Sequence, residues 1–228
     1  MAAIRIAVAD YGAGNLVSIA RAFETIGASV TVATDPDGLA GVDALVVPGV
    51  GAAAPAMARL ERHGLVEPIR QWIATDRPFL GICLGLQLLY DGSDEDGAAT
   101  LGVLAGRTVR LRDAPTLPHI GWNQVERLRE HPILDGVPDG ADLYFVHSYV
   151  AAPADPSTIV AETTHGSTFP SVVVAANVIG VQFHPERSGT DGLRVLANFA
   201  AIASAAGQEH LGATPPVDVA PTVVGRER

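Results

Sequence analysis

The chain has 228 residues, 48% of them hydrophobic, enough for one domain with a sizeable core. Its 25 acids against 15 bases leave a net charge of −10, which argues against sequence-independent binding to nucleic acid or to an anionic membrane. All of the bases are arginines, so lysine Schiff-base and lysine-base chemistry are excluded, and a single cysteine excludes an intrachain disulfide and a cysteine-rich zinc site. Arg5 and Asp10 interrupt the first residues before any signal-peptide core develops, and no apolar run approaches the roughly 18 residues of a membrane span. A cytoplasmic protein without metal or cofactor is expected.

Through the first half, short apolar runs alternate with helical patterns, which predicts βα units and a mainly parallel sheet. Ile4 to Ala9 reads as the first strand. The turn after it, DYGAGNL at Asp10 to Leu16, places Gly12 and Gly14 as two of the three glycines of a dinucleotide fingerprint. The third position is Val17 and no Walker lysine exists, so a tight turn is the better reading. Leu16, Ile19, Ala20, Phe23 and Ile26 recur at helical spacing until Gly27 stops them. Ala44 to Val47 is the next strand and leads into the loop Pro48-Gly49-Val50-Gly51. Helices are predicted from Pro55 to Arg62 and from Val66 to Ala74. Phe79, Leu80 and Ile82, introduced by Pro78, then form a short buried strand, followed by a helix that begins with Leu84, Gln87, Leu88 and Leu89.

The acidic run Asp91 to Asp96 reads as a solvated loop, because nothing with ligand spacing accompanies it. Strands are predicted at Arg107 to Leu111, Trp122 to Val125, Asp142 to Phe145, Thr158 to Ala161, Val172 to Ala175 and Val178 to Phe183, several of them antiparallel. Leu193 to Ala206 closes the fold as a helix. The fold class is therefore α/β: a three-layer α/β/α domain over residues 1–206 with a mixed, mainly parallel central sheet. Residues 207–228, rich in Pro, Ala and Val without periodicity, are expected to be a flexible tail.

Cys83 stands where the strand meets the helix, within Gly81-Ile82-Cys83-Leu84-Gly85. That is the G-x-nucleophile-x-G spacing of an elbow whose small neighbours permit a strained turn. A helix N-terminus and a nearby cation there would favour thiolate at neutral pH. Taken alone, a lone cysteine is as readily a small buried hydrophobe. About 100 residues downstream, VIGVQFHPE ends in His184-Pro185-Glu186. In an extended chain, residues two apart share a face, and Pro185 disfavours helix at His184. Glu186 can then fix the imidazole while the other ring nitrogen faces the thiol, completing a nucleophile, base and orienter. The bland alternative is a strand-end pair on a solvated edge.

With GICLGLQLL around Cys83 and QFHPE at Gln182 to Glu186, the chain resembles the class I, or triad-type, glutamine amidotransferases. DYGAGNL, PGVGAA at Pro48 to Ala53, PHIGWN at Pro118 to Asn123, YFVHSY at Tyr144 to Tyr149 and RSG at Arg187 to Gly189 resemble the branch that works with a (β/α)8-barrel cyclase. The resemblance implies hydrolysis of L-glutamine to glutamate and ammonia through a cysteinyl thioester, with catalytic Cys83, His184 and Glu186. It implies oxyanion donors at Leu84 and in the Val50-Gly51 loop, and contacts to glutamine from Gln87, Ser148 and Tyr149. Asn15, Trp122 and Arg187 become candidates for the interface with the cyclase in a 1:1 heterodimer. That cyclase would use the ammonia to make imidazole glycerol phosphate and an aminoimidazole carboxamide ribonucleotide, a step of histidine biosynthesis. Two departures stand out: Arg187 replaces a usual lysine, keeping charge but not geometry, and Ala53 replaces a common phenylalanine. A glutaminase for another synthase, a γ-glutamyl hydrolase and a non-catalytic module on the same scaffold are the rival readings. His147 is expected to be structural, and His63, His131, His165 and His210 to lie on the surface.

Overall fold

A computed structural model of the chain describes the backbone of residues 3–212 and the side chains of residues 3–207. In chain order, β1 (Arg5–Ala9) leads to α1 (Leu16–Thr25), and β2 (Ser29–Ala33) to β3 (Ala44–Gly49). Two helices, α2 (Ala53–Arg62) and α3 (Val66–Ala74), precede β4 (Phe79–Cys83) and the single turn α4 (Leu84–Gln87). Seven further strands follow: β5 (Gly106–Arg110), β6 (His119–Arg127), β7 (Ala141–His147), β8 (Tyr149–Pro153), β9 (Ile159–His165), β10 (Ser167–Ala175) and β11 (Val178–Val181). The chain closes with α5 (Gly189–Gly212).

Among the described residues, nine strands form one mixed sheet in the order β2-β1-β3-β4-β11-β10-β9-β6-β7, and β5 and β8 form a separate ribbon. The first five strands of that order are parallel, and the remaining pairings are antiparallel. Every residue of β3 and β4 is buried, as strands covered on both faces must be. Ile6, Val8, Ala44, Val46, Leu80 and Ile82 face one core with Phe23 of α1 and Phe199 of α5. The alternate residues Ala7, Leu45, Val47 and Phe79 face the other, against Leu60 of α2 and Trp72 of α3. This is the expected three-layer sandwich.

Four elements depart from expectation. The helix after Cys83 stops at Gln87, because the carbonyls of Leu88, Leu89 and Tyr90 accept from the N–H groups of Leu101, Val103, Leu104 and Gly102 instead of continuing the turn. β2 and β8 carry no strand signal strong enough to read: β2 is a largely exposed sheet edge, and β8 is mostly alanine and proline. The closing helix runs past Ala206 to Gly212, taking in the start of the segment expected as a tail; residues 213–228 lie outside the described residues. No helix among the described residues is long and apolar enough to cross a membrane.

The strand order places three chain exits side by side at one edge of the sheet. Gly49 at the end of β3 pairs with Cys83 at the end of β4, and Val181 at the end of β11 pairs with Ile82. The carboxyl ends of parallel strands are where open α/β sheets present ligand sites.

Candidate active site

Cys83 adopts φ 54°, ψ −105°, a left-handed conformation that an L-residue with a side chain holds at a cost of about 1–3 kcal/mol. Its glycine neighbours make the turn sterically feasible. A Cβ on Gly81 would come within 2.6 Å of the Gly85 carbonyl, one on Gly85 would collide with the Val47 carbonyl, and one on Gly180 with the Leu86 side chain. The elbow read from the sequence is thus physically enforced from three strands. Cys83 is a free cysteine, 4% exposed, sitting at the first turn of α4.

His184 follows β11 in extended conformation, φ −100°, ψ 95°, as the proline after it requires. Glu186 is not on a strand, as the two-residue spacing suggested, but in a 3-10 turn over Pro185–Arg187. The turn still brings its Oε1 to 2.9 Å from Nδ1 of His184, with the carboxylate side chain fully buried. A buried carboxylate accepts, so Nδ1 carries a proton and Nε2 is the ring's working atom. Ser188, missed in the sequence, braces this arrangement. Its hydroxyl donates to the His184 carbonyl at 2.6 Å and accepts from the Tyr144 N–H at 3.0 Å, while the His184 N–H bonds the Tyr144 carbonyl at 2.8 Å.

Burial alone would lower the basicity of the His184 imidazole, but the charge and hydrogen bonding of Cys83, then of Glu186, overcome it and push the ring up to about 10. Nε2 is buried without a well-aligned hydrogen bond, so the sulfur acts on it mainly through charge. These influences favour a protonated ring facing the sulfur.

A cavity of about 210 Å³ opens above Cys83. It gathers Val50, Gly51, Leu84, Gln87, Ser148 and Tyr149, each singled out in the sequence, together with His147, Pro118 and Glu95. The glycine loop entering it is tethered at its start, where the buried Tyr11 hydroxyl donates to the Pro48 carbonyl at 2.7 Å and fills the space a Cβ on Gly49 would need. Gly51 takes φ 92°, as a residue without a Cβ can. At the loop's exit α2 has no capping side chain of its own, because its N-cap is Ala52. Asp96 reaches across to accept from the Ala54 N–H at 2.6 Å. The acidic run is therefore not simply solvated: Asp96 caps α2, Asp94 pairs with Arg107 at 2.8 Å, and Glu95 faces the cavity. Partial burial, then Asp96, hold the Glu95 carboxyl above its usual range. Among the described residues no group of three or more His, Cys, Asp or Glu is placed to hold a metal ion.

At the cavity wall lies a buried pair of histidines, His147 and His119, of which the sequence marked only His147 as a structural residue. His147 Nδ1 donates to the Tyr149 carbonyl at 3.0 Å, so its Nε2 accepts from His119 Nδ1 at 3.1 Å. His119 Nε2 in turn accepts from Asn123 Nδ2 at 3.1 Å, whose second hydrogen goes to the Thr164 carbonyl at 3.0 Å. Burial, then His119, press His147 down to about 3; burial, then His165, press His119 to about 4, so both rings are neutral. His165 stacks on His119 with centroids 4.0 Å apart rather than standing free on the surface, and His63 and His131 make turn contacts with Thr34 and Ile133.

The three interface candidates lie outside the cavity. Trp122 is 57% exposed and meets the Tyr144 ring edge-on, and the Arg187 guanidinium sits 4.0 Å above the same ring. Asn15 is exposed at the N-cap of α1 and makes no capping bond.

The family model for class I glutamine amidotransferases matches residues 7–203. The chain is 49% identical to imidazole glycerol phosphate synthase subunit HisH of Symbiobacterium thermophilum, over 86% of this chain and 92% of that protein. It is 46% identical to the subunit of the same name from Dehalococcoides mccartyi, over 85% of this chain and 95% of that one. Among solved structures, PurLQS from Thermotoga maritima matches with a TM-score of 0.69 at 18% identity, covering 88% of this chain and 99% of that chain. A glutamine amidotransferase from the same organism matches with a TM-score of 0.57 at 20% identity, covering 92% and 86%, and both likenesses are of fold alone. With a family match spanning most of its length and relatives almost half identical to it, the chain belongs to the class I glutamine amidotransferase family.

Proposed function

We propose that the chain is the glutaminase subunit of imidazole glycerol phosphate synthase, with Cys83 as nucleophile, His184 as acid and base, and Glu186 as orienter. The observation that carries this reading is the His184 ring, clamped by Glu186 at 2.9 Å and charged by the sulfur it faces. The thiolate attacks the side-chain carboxamide carbon of L-glutamine, forming a C–S bond. As the C–N bond breaks, His184 delivers its proton to the nitrogen, which leaves as ammonia. Acylation removes the negative charge on sulfur, and with it the largest influence holding the ring protonated. Burial then weighs more heavily against the charged ring, and His184 acts as the base that draws a proton from water as the thioester is hydrolysed to glutamate. Leu84 N–H and the Val50-Gly51 loop supply the oxyanion donors, each worth about 100- to 1,000-fold in rate.

Gln87, Ser148 and Tyr149 line the place for the amino-acid end of glutamine. Glu95 complements its ammonium group, being the carboxylate that faces the cavity. A catalytic thiol with no disulfide partner suits the reducing cytoplasm. The partner is a (β/α)8-barrel cyclase in a 1:1 heterodimer, docked through Asn15, Trp122 and Arg187; the relatives' shared subunit name supports a partner subunit. Ammonia is mostly protonated in neutral water and so not nucleophilic, which favours transfer inside the complex. The deciding experiment measures ammonia release from glutamine by the chain alone and with the cyclase and its nucleotide ligand. Strong stimulation is expected, and Cys83→Ala should abolish glutamine-dependent synthesis while sparing synthesis from ammonium salt. Release that is unaffected by the cyclase would refute the partner, and no release under any condition would refute the chemistry.

A further inference from the structure

Gln182 is a fully buried polar side chain at the exit of β11, and nothing in the triad accounts for it. A carboxamide has an acceptor end and a donor end, and which end faces which neighbour is decided by the network around it. Here a carbonyl decides. The Tyr149 carbonyl can only accept, so the Gln87 side chain must turn its nitrogen toward it, at 2.8 Å. The second hydrogen of that nitrogen meets Gln182 at 3.1 Å, where only the oxygen of Gln182 can receive it. The nitrogen of Gln182 is thereby turned to the Cys83 sulfur, 3.6 Å away. His147 holds the same Tyr149 carbonyl at 3.0 Å, so the chain of donors has a fixed origin.

We infer that Gln182 is a catalytic residue of this site, an N–H donor locked onto the Cys83 sulfur that favours thiolate over thiol. A hydrogen bond to the charged form of a group stabilises that form. The donor is in place before substrate arrives and needs no reorganisation when thiolate is regenerated from the thioester. Gln182 and His184 stand two apart in the short segment that leaves β11, with buried Phe183 between them, so a single stretch of backbone carries both groups to the sulfur. The inference rests on Cys83 being the nucleophile.

Because Cys83 is the only cysteine in the chain, iodoacetamide reports on it alone. The test is the pH profile of its alkylation rate from pH 5 to 10, on full-length protein shown to be folded by circular dichroism. Gln182→Leu, which removes the donor, should move the inflection up by about one pH unit, a tenfold slower reaction below it. Gln182→Glu, nearly the same shape but with an anionic oxygen toward sulfur, should move it further. Gln87→Met, which leaves Gln182 in place but frees its carboxamide to turn, should give a smaller shift of the same sign. An unmoved inflection in folded Gln182→Leu overturns the inference. If that variant does not fold, an unmoved or lowered inflection in Gln182→Glu overturns it, and failing both, an unmoved inflection in Gln87→Met does. Failure of the nucleophile reading would show separately, as glutamine turnover surviving Cys83→Ala.

Discussion

The Glu186 carboxylate holds the His184 ring at 2.9 Å, and most of the residue-scale expectations follow from that contact. Glu186→Gln keeps the shape but removes the charge that holds Nδ1–H, so turnover should fall by about 100-fold or more with the melting behaviour little changed. Imidazole NMR should find His184 protonated through neutral pH and titrating near 10, and Cys83→Ala should lower that value sharply, because the influence of the sulfur would be gone. The sign for stability follows by linkage. A ring with its folded value raised above about 6.5 contributes stability that is complete below that pH and is lost as pH rises through 10. Chemical denaturation from pH 6 to 10 should show that loss in the parent and a smaller one in Cys83→Ala. At Glu95 the expectation is a binding effect: Glu95→Gln should raise KM for glutamine about tenfold or more with kcat nearly unchanged, and an unchanged KM would remove Glu95 from the substrate site. Cys83, His184 and Glu186 were legible because their types and spacing are chemically specific. Ser188, Glu95 and the His147–His119 pair were not, because serine, a glutamate in an acid-rich run and two scattered histidines gain meaning only when strands 28 residues apart are laid together.

At the scale of elements, the site depends on short segments that borrow their stability. α4 is one turn long and could not persist alone, since an isolated helix needs a dozen or more residues. It is held by the burial of Leu84 and Leu86 and by glycines that admit the backbone of its neighbours. α2 likewise takes its cap from Asp96, 42 positions away. Asp96→Ala should cost about 1 kcal/mol, and hydrogen exchange should quicken most at Ala53 and Ala54, beside the glycine loop; uniform exchange changes would contradict the capping role. The helices and buried strands were readable from period and run length. The edge strand β2 and the ribbon strand β8 were not, because neither buries a continuous apolar face. The length of α4 was hidden for a different reason: its leucines suit a longer helix, and competing carbonyl partners from residues 101–104 end it early.

Over the whole molecule, two cores clasp the sheet and share the work unevenly. The face carrying α1 and α5 is joined by the edge contact of Phe23 with Phe199, 6.4 Å between ring centres. Phe199→Ala should destabilise the fold by about 3–5 kcal/mol, read as a lower urea midpoint at unchanged slope, while leaving the alkylation profile of Cys83 intact. The fold class was open to inspection from alternating βα patterns, but the strand order was not, since hydrophobic pattern says which faces are buried and nothing about neighbours. That order has one further consequence. β4 is flanked on one side by β11, and Gln182 and Cys83, which meet there, lie 99 positions apart. On the ribosome the thiol therefore emerges long before the segment that charges it. A chain cut before β11 carries the thiol without the segment that faces it, so hydrolytic competence is expected only once that strand has joined the sheet.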